Sequence, residues 1–351
     1  MKVLWFSNTP AGAEEILNLD KIRGGWLRSL NNAVKNEVEL SIAFYYSRYA
    51  EPFKESGVWY IPICKKNWKL NILRKKLFGG FIDKEDLPVY IDIIQKVKPD
   101  IIHIHGTENS FGCLIGAIDV PIVLSYQGSC TVYNHKYFSG IERRYAYRWP
   151  SDLFSFIPGF NSESYWRGYN KSCRSREREI RNLLSCRFII GRTDWDRRIT
   201  RILAPHSTYF HNDEVLRNVF YMKEWKKSVN KRILVHSTVG EALFKGFETL
   251  CHALSILNER GIEIEWRVAG VSKTGRLNQI VKRKLKANYP KKGLVLFGNL
   301  NESELVEKML ESDIYVMPSH IENSPNSLCE AMILGMPCIT TIAGGSSSLL
   351  K

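Results

Sequence analysis

Apolar and polar positions along this chain alternate between two periods. Stretches of strand length rich in apolar residues fall at 2–7, 38–45, 58–63, 100–105, 121–126 and the start of 188–196. They return at 233–237, 264–269, 294–297, 314–317 and 338–342. Between them lie stripes with helical spacing. Trp26, Leu27, Leu30 and Val34 form one, and Phe247, Leu250, Cys251, Leu254 and Leu257 another. Residues 87–97, 174–187, 277–286 and 302–311 read as further helices. Strands that alternate with helices and end in polar or glycine loops predict a parallel sheet, with ligands at the strands' carboxyl ends.

The predicted fold class is therefore α/β, built as two doubly wound parallel-sheet domains. A length of 351 residues exceeds one average domain. The polar, basic stretch 223–232 reads as the linker, which assigns 1–222 to a first domain and 223–351 to a second. The second reads β-α-β-α-β-α-β-α-β. Residues 133–170 break the rhythm. They are rich in Tyr, Trp, Phe, Ser and Arg and read as an insertion lining an acceptor site, or as an irregular packing excursion.

The densest chemistry lies in 313–345, read as strand, turn, helix, strand and glycine loop. Ser324 suits an N-cap and Pro325 a first helical position, and Gly335 with Pro337 stops the helix. Glu322 stands in the turn before that helix and Glu330 inside it. Between them lie the first-turn N–H groups, which attract phosphate. Carboxylates flanking an anion hole accept hydrogen bonds from sugar hydroxyls, so the stretch reads as a sugar-diphosphate cradle. The other reading is two surface acids near a helix start, where acids are favoured anyway.

Other candidates are weaker. Gly24 and Gly25 follow the first strand and precede a helix, as in phosphate-binding turns, or form a plain turn. His103 and His105 project from one strand face. They read as core or substrate-facing groups, because an H-x-H pair without a third ligand is a poor metal site. The eight cysteines are scattered with no C-x-x-C pair, which suggests neither zinc nor a disulfide framework.

Charge changes the picture more. A net +14 implies an anionic partner: nucleic acid, anionic lipid or phosphorylated substrate. Basic residues are spread over many segments without a recognition motif, so nucleic acid ranks last. Residues 65–78, KKNWKLNILRKKLF, interleave bases with apolar side chains. They suit an anionic membrane face, or a solvated amphipathic helix. No stretch approaches the ~18–20 apolar residues of a membrane span. The N-terminus shows no signal-peptide pattern, which points to the cytoplasm.

Two such domains with Glu322 and Glu330 spaced as E-x7-E resemble the GT-B glycosyltransferases of family 4. Lys245-Gly246, Leu296-Phe297-Gly298, Pro318-Ser319, Glu330-Ala331-Met332, Gly335-Met336-Pro337 and Gly344-Gly345 fall in that family's order. Gly24-Gly25, the stretches 100–108 and 125–128, and 191–197 look like its bacterial capsule and exopolysaccharide branch. The resemblance implies a cleft between the domains. It also implies retaining, metal-independent transfer from a nucleotide-diphosphate sugar, with no further cofactor.

The site residues follow by position. Glu322 would bind donor-sugar hydroxyls, with Asn323, Ser324, Pro325, Asn326 and Ser327 around sugar and phosphate. Lys245 would neutralise the diphosphate, Glu330 bind the ribose, and Asn299 and Leu300 border the base. Gly25 would approach the donor, and His105, Gln127 and Arg192 stand on the acceptor side.

Three departures qualify this picture. The family's arginine about five residues before the lysine is replaced by Gly240. Gln127 stands where many relatives have His. The chain stops at Lys351, where the family continues, which implies an incomplete C-terminal domain. The expected function is sugar transfer to a lipid-linked or polysaccharide acceptor at the inner face of the membrane. The competing expectation is a weak or inactive sugar-nucleotide-binding remnant.

Overall fold

Side chains of the first strand, β1 (Lys2–Ser7), enter two different cores. Leu4 and Phe6 join Ile102, Ile104, Tyr90 and Phe111 on one side, while Val3 and Trp5 join Ile42, Phe44 and Tyr60 on the other. A strand buried on both faces belongs inside a parallel sheet covered by helices on each side. The computed structural model describes residues 1–19, 25–64, 83–147, 165–227 and 232–350, except for the side chains of 83 and 84. Gly24, the basic stretch 65–78, residues 228–231 of the linker and residues 148–164 of the aromatic insertion thus lie outside the described residues.

The chain divides into two compact units, one of residues 1–131 with 171–216 and the other of 132–170 with 217–351. The division expected at 222/223 falls at 216/217, and the stretch 132–170, read from sequence as part of the first domain, belongs to the second unit.

The first unit carries β1, β2 (Glu39–Tyr46), β3 (Phe53–Glu55), β4 (Val58–Cys64), β5 (Ile101–His105), β6 (Ile122–Ser125), β7 (Phe188–Gly191) and β8 (Thr208–His211). They lie in the order β3-β4-β2-β1-β5-β6-β7-β8. All pairs are parallel except β3 with β4. That hairpin turns through Ser56 and Gly57, both at positive φ, as a two-residue primed turn requires.

Helices α1 (Gly25–Val34), α2 (Asp83–Val97), α3 (Cys130–His135), α4 (Arg143–Ala146), α5 (Tyr165–Ser185) and α6 (Asp194–Leu203) follow in chain order. Glu179 on α5 is fully buried, yet its carboxylate is well satisfied. It accepts from the hydroxyls of Thr107 and Ser129 and from the N–H groups of Cys130, at 2.8 Å, and Thr131, at 2.9 Å. One acid thereby ties together the loops that leave β5 and β6.

The second unit holds α7 (Asn218–Tyr221), β9 (Ile233–Thr238), α8 (Phe247–Glu259), β10 (Ile264–Ala269), α9 (Arg276–Leu285), β11 (Leu294–Gly298), α10 (Glu302–Leu310), β12 (Ile314–Met317), α11 (Asn326–Ile333), β13 (Cys338–Thr340) and α12 (Ser346–Leu349). From β9 to β13, strands and helices alternate as the periodicity predicts. The sheet is wholly parallel, in the order β11-β10-β9-β12-β13. Leu250, Cys251 and Leu254 of the α8 stripe are fully buried against Trp266 and Val268. Ile141 and Ala146, from the 132–170 stretch, close the same core. On the opposite face, Tyr315 and Met317 pack with Leu328 and Ala331 of α11 and with Phe220 of α7.

Candidate functional site

The strand order of the second unit reverses between β9 and β12. Chain leaving β9 runs on to β10 on one side, and chain leaving β12 runs to β13 on the other. The carboxyl ends of two such strands open a crevice, the usual ligand position in doubly wound sheets. Lys245 is in the loop after β9 and Glu322 in the loop after β12.

Gly246 lets these two loops meet. Its φ of +75° is left-handed, and a Cβ there would stand 1.9 Å from the Pro318 carbonyl oxygen. Only glycine fits both constraints. Lys245 therefore reaches across, and its Nζ donates to both oxygens of Glu322, at 2.7 and 2.9 Å. The Ser319 hydroxyl donates to Glu322 Oε1 at 2.7 Å. Glu322 is only 4% exposed, so the lysine and serine satisfy a charge that burial would otherwise make expensive. Its backbone is clamped as well, because Gly345 N–H donates to the Glu322 carbonyl at 3.0 Å.

Helix α11 begins one residue later than the sequence predicts. Pro325 has ψ 105° and is itself the cap position, without a side-chain cap bond, so Ser324 is not the N-cap. The extended backbone of Pro325 explains the shift, since a first helical residue needs helical φ and ψ. Gly335 ends the helix at φ +82°, as predicted.

Glu330, in the second turn of α11, is also 4% exposed. Both of its oxygens are held by one guanidinium. Arg217 Nε donates to Oε1 at 2.7 Å and Nη2 to Oε2 at 2.8 Å. Burial pushes the Glu330 carboxyl above its ordinary range, and the hydrogen bonds and charge of Arg217 pull it back. The two acids share one neighbourhood. The Tyr315 hydroxyl, between β12 and α11, is raised first by burial and then by the charges of both Glu330 and Glu322.

A tyrosine closes the other side. The Tyr133 hydroxyl accepts from the Asn323 N–H at 3.2 Å. Its ring stacks on Phe244, with centroids 5.2 Å apart and planes 13° apart. Phe244 also lies under the Lys245 ammonium, 5.9 Å from the ring centre. Leu300 packs against the core that holds α11, and Asn299 beside it is exposed.

Lys245, Glu322, Asn323 and Glu330 are thus gathered around the start of α11, with Ser324, Pro325, Asn326 and Ser327 in the chain between them. Sequence reading missed Arg217 and Tyr133. Neither sits in a motif, and each partner is remote in the chain, so no local pattern announced them.

The remaining candidates belong to the first unit. Its sheet reverses between β1 and β5, and all four stand near carboxyl ends of its strands. Gly25 opens α1, which follows β1. His105 ends β5, buried against Trp5 at 4.7 Å and His103 at 3.9 Å between ring centres. Burial, and then the neighbouring His103, hold its ring neutral well below the ordinary histidine range. Neither His105 ring nitrogen has a hydrogen-bond partner among the described residues. The Gln127 amide nitrogen, past β6, is in the same condition. Arg192 follows β7 and is committed to two acids, Glu214 at 3.5 Å and Asp213 at 4.0 Å. Among the described residues no group of His, Cys, Asp or Glu is placed to hold a metal ion. No described helix is long and apolar enough to cross a membrane.

Residues 220–351 match the family described as "Glycosyl transferases group 1". TuaC of Bacillus subtilis (strain 168), named as a teichuronic acid biosynthesis glycosyltransferase, is 25% identical over 128 residues. That alignment spans 36% of this chain and 31% of TuaC.

Among solved structures, the chain is similar to sucrose-phosphate synthase from Thermosynechococcus elongatus, with a TM-score of 0.68 and 12% identity over 98% of this chain and 82% of that one. It is also similar to Anabaena Alr3699/HepE, solved with UDP and glucose (TM-score 0.59, 11% identity, 100% and 83% coverage). Trehalose 6-phosphate synthase from Burkholderia multivorans gives a TM-score of 0.59 at 10% identity over 99% and 85%. At such identities the likeness shows the fold, which is that of the GT-B glycosyltransferases.

Proposed function

We propose that this chain is a glycosyltransferase that takes a sugar from a nucleotide-diphosphate donor and transfers it to a lipid-linked or polysaccharide acceptor. The observation that carries the reading is the meeting of Lys245 and Glu322 where the second sheet reverses, beside the start of α11. In this reading the diphosphate lies between Lys245 and the first-turn N–H groups of α11. Glu322 takes the sugar hydroxyls and Glu330 the ribose hydroxyls, while Asn299 and Leu300 border the base.

The chemistry follows from charge. As the bond between the sugar's C1 and the phosphate oxygen breaks, its electron pair leaves with the nucleoside diphosphate. A lysine and a helix terminus aimed at that oxygen bind it more strongly in the transition state than in the ground state. The acceptor oxygen bonds C1 on the same face, and its proton passes to the leaving phosphate oxygen. Configuration is retained without a covalent enzyme intermediate or a metal ion. In the resting site Glu322 occupies the lysine, so the incoming diphosphate competes for that ammonium.

The acceptor assignment has the support of TuaC's name and of the chain's net +14, which suits lipid-diphosphate acceptors and an anionic inner-leaflet surface. The chain then works in the cytoplasm, peripheral to the membrane.

A thermal-shift screen of nucleotide sugars, followed by a transfer or donor-hydrolysis assay on the hit, tests the proposal. A stabilising donor whose turnover disappears in Lys245→Ala is the expected result. Binding without any turnover leaves only a sugar-nucleotide-binding protein, and no binding at all overturns the reading.

A further inference from the structure

Arg217 is the least expected part of the candidate site. It stands 113 residues from Glu330 in sequence and caps the short helix α7. Three contacts fix its guanidinium. The Phe220 ring lies 4.8 Å from it, Glu302 stands 3.9 Å from Nη1, and Nε and Nη2 hold the two Glu330 oxygens. Phe220 is itself fully buried in the core that contains Leu328 and Ala331 of α11, so both ends of the pair rest on one packed layer.

A guanidinium fork fixes more than charge. Two parallel N–H bonds set the plane of a carboxylate and use one acceptor site on each oxygen. One site remains on each, at a fixed spacing. That arrangement fits two neighbouring hydroxyls. A lysine could neutralise the charge but would leave the plane free to turn.

We propose that Arg217 is a positioning residue that holds the Glu330 carboxylate as a receptor for a vicinal diol, and so selects ribonucleotides over deoxyribonucleotides. This rests on the nucleotide-sugar reading above. Arg217 itself touches no substrate.

The test is isothermal titration of the 351-residue chain with UDP, ADP and GDP and with their 2′-deoxy counterparts. A hydrogen bond to a charged acceptor implies a ribo-to-deoxy affinity ratio of roughly ten to a hundred in the wild type. Arg217→Lys keeps the charge but loses the fork, and is expected to bring that ratio below about threefold. Arg217→Ala is expected to do the same. If it fails to fold, Arg217→Met combined with Glu330→Gln replaces the pair without leaving a buried charge. Lys245→Ala is expected to weaken both nucleotide series equally and leave the ratio intact.

A folded Arg217→Lys protein that keeps the wild-type ratio overturns the proposal. So does a wild type that binds ribonucleotide and deoxyribonucleotide alike, although the donor reading would then stand. A wild type that binds no nucleoside diphosphate removes the donor reading, and this role falls with it.

Discussion

Lys245 and Glu322 form a two-pronged ion pair, 2.7 and 2.9 Å from ammonium to carboxylate, between loops that leave neighbouring strands of one sheet. Their separation of 77 residues is bridged by backbone contact at Gly246, not by any flexible reach of the lysine alone. Lys245→Ala removes the cation nearest the proposed leaving group. Transfer rate is expected to fall ~100–1000-fold, and Lys245→Arg to lose far less. Initial-rate assays at saturating donor check this. A rate within a few-fold of wild type in Lys245→Ala would refute the assigned role.

Gly246 can be tested apart from chemistry. Alanine there meets the Pro318 carbonyl oxygen and a left-handed φ. Gly246→Ala is expected to destabilise the protein by more than about 1 kcal/mol, and so to lower its melting temperature by several degrees. Gly240→Ala is the control, because a Cβ at that position meets nothing within 4 Å and its φ lies outside the left-handed region. Equal melting temperatures for the two variants would contradict the close approach.

Tyr133 offers a sharper sign. Its hydroxyl accepts the Asn323 N–H, one of the backbone donors assigned to the donor sugar and phosphate. Tyr133→Phe keeps the stack on Phe244 and releases that donor. With one hydrogen bond worth about 0.5–1.5 kcal/mol, nucleoside diphosphate is expected to bind roughly two- to tenfold tighter. Weaker binding in this variant would mean that the hydroxyl contacts the ligand and does not compete with it.

His236 predicts a pH response. It is fully buried on β9, and burial, aided by the Arg267 charge, lowers its ring to about 3. The folded state therefore holds it neutral while the unfolded chain takes up a proton below its ordinary 6.5. Stability from this group is complete above pH 6.5 and declines as pH falls towards 3. His103, lowered to about 4 by burial, adds a second decline of the same sign. His236→Phe is expected to melt with a shallower fall between pH 6.5 and 4.5. Parallel melting-temperature profiles for variant and wild type would count against it.

Much of this was legible in the chain. The strands at 264–269 and 314–317 coincide with β10 and β12, because alternate apolar side chains, Trp266 and Val268 in one and Tyr315 and Met317 in the other, are buried in the cores. Glu322 and Glu330 stood out through the proline and glycine punctuation of helix α11, and Lys245 only through the resemblance of Lys245-Gly246 to a family motif. Two edge strands were not. β3 is three residues long and β8 is largely exposed, so neither carries an apolar run. The start of α11 was misplaced by one residue because Ser-Pro fits an N-cap and first turn locally, while the observed ψ at Pro325 is set by tertiary context. Arg217 with Glu330 and Tyr133 with Asn323 are pairs 113 and 190 residues apart. Such pairings arise only when the sheet order brings loops together.

The polypeptide passes from one unit to the other three times, at 131/132, 170/171 and 216/217. Ile141 and Ala146 reach the core of the second unit on the middle excursion, where they pack with Leu243, Phe247 and Leu277. A gene fragment starting at Arg217 would leave that apolar surface bare, and a chimera joined at a single crossover would set the 132–170 stretch of one parent against the core of another. Exchanging the second unit between similar chains therefore requires grafting two separate segments together, not one.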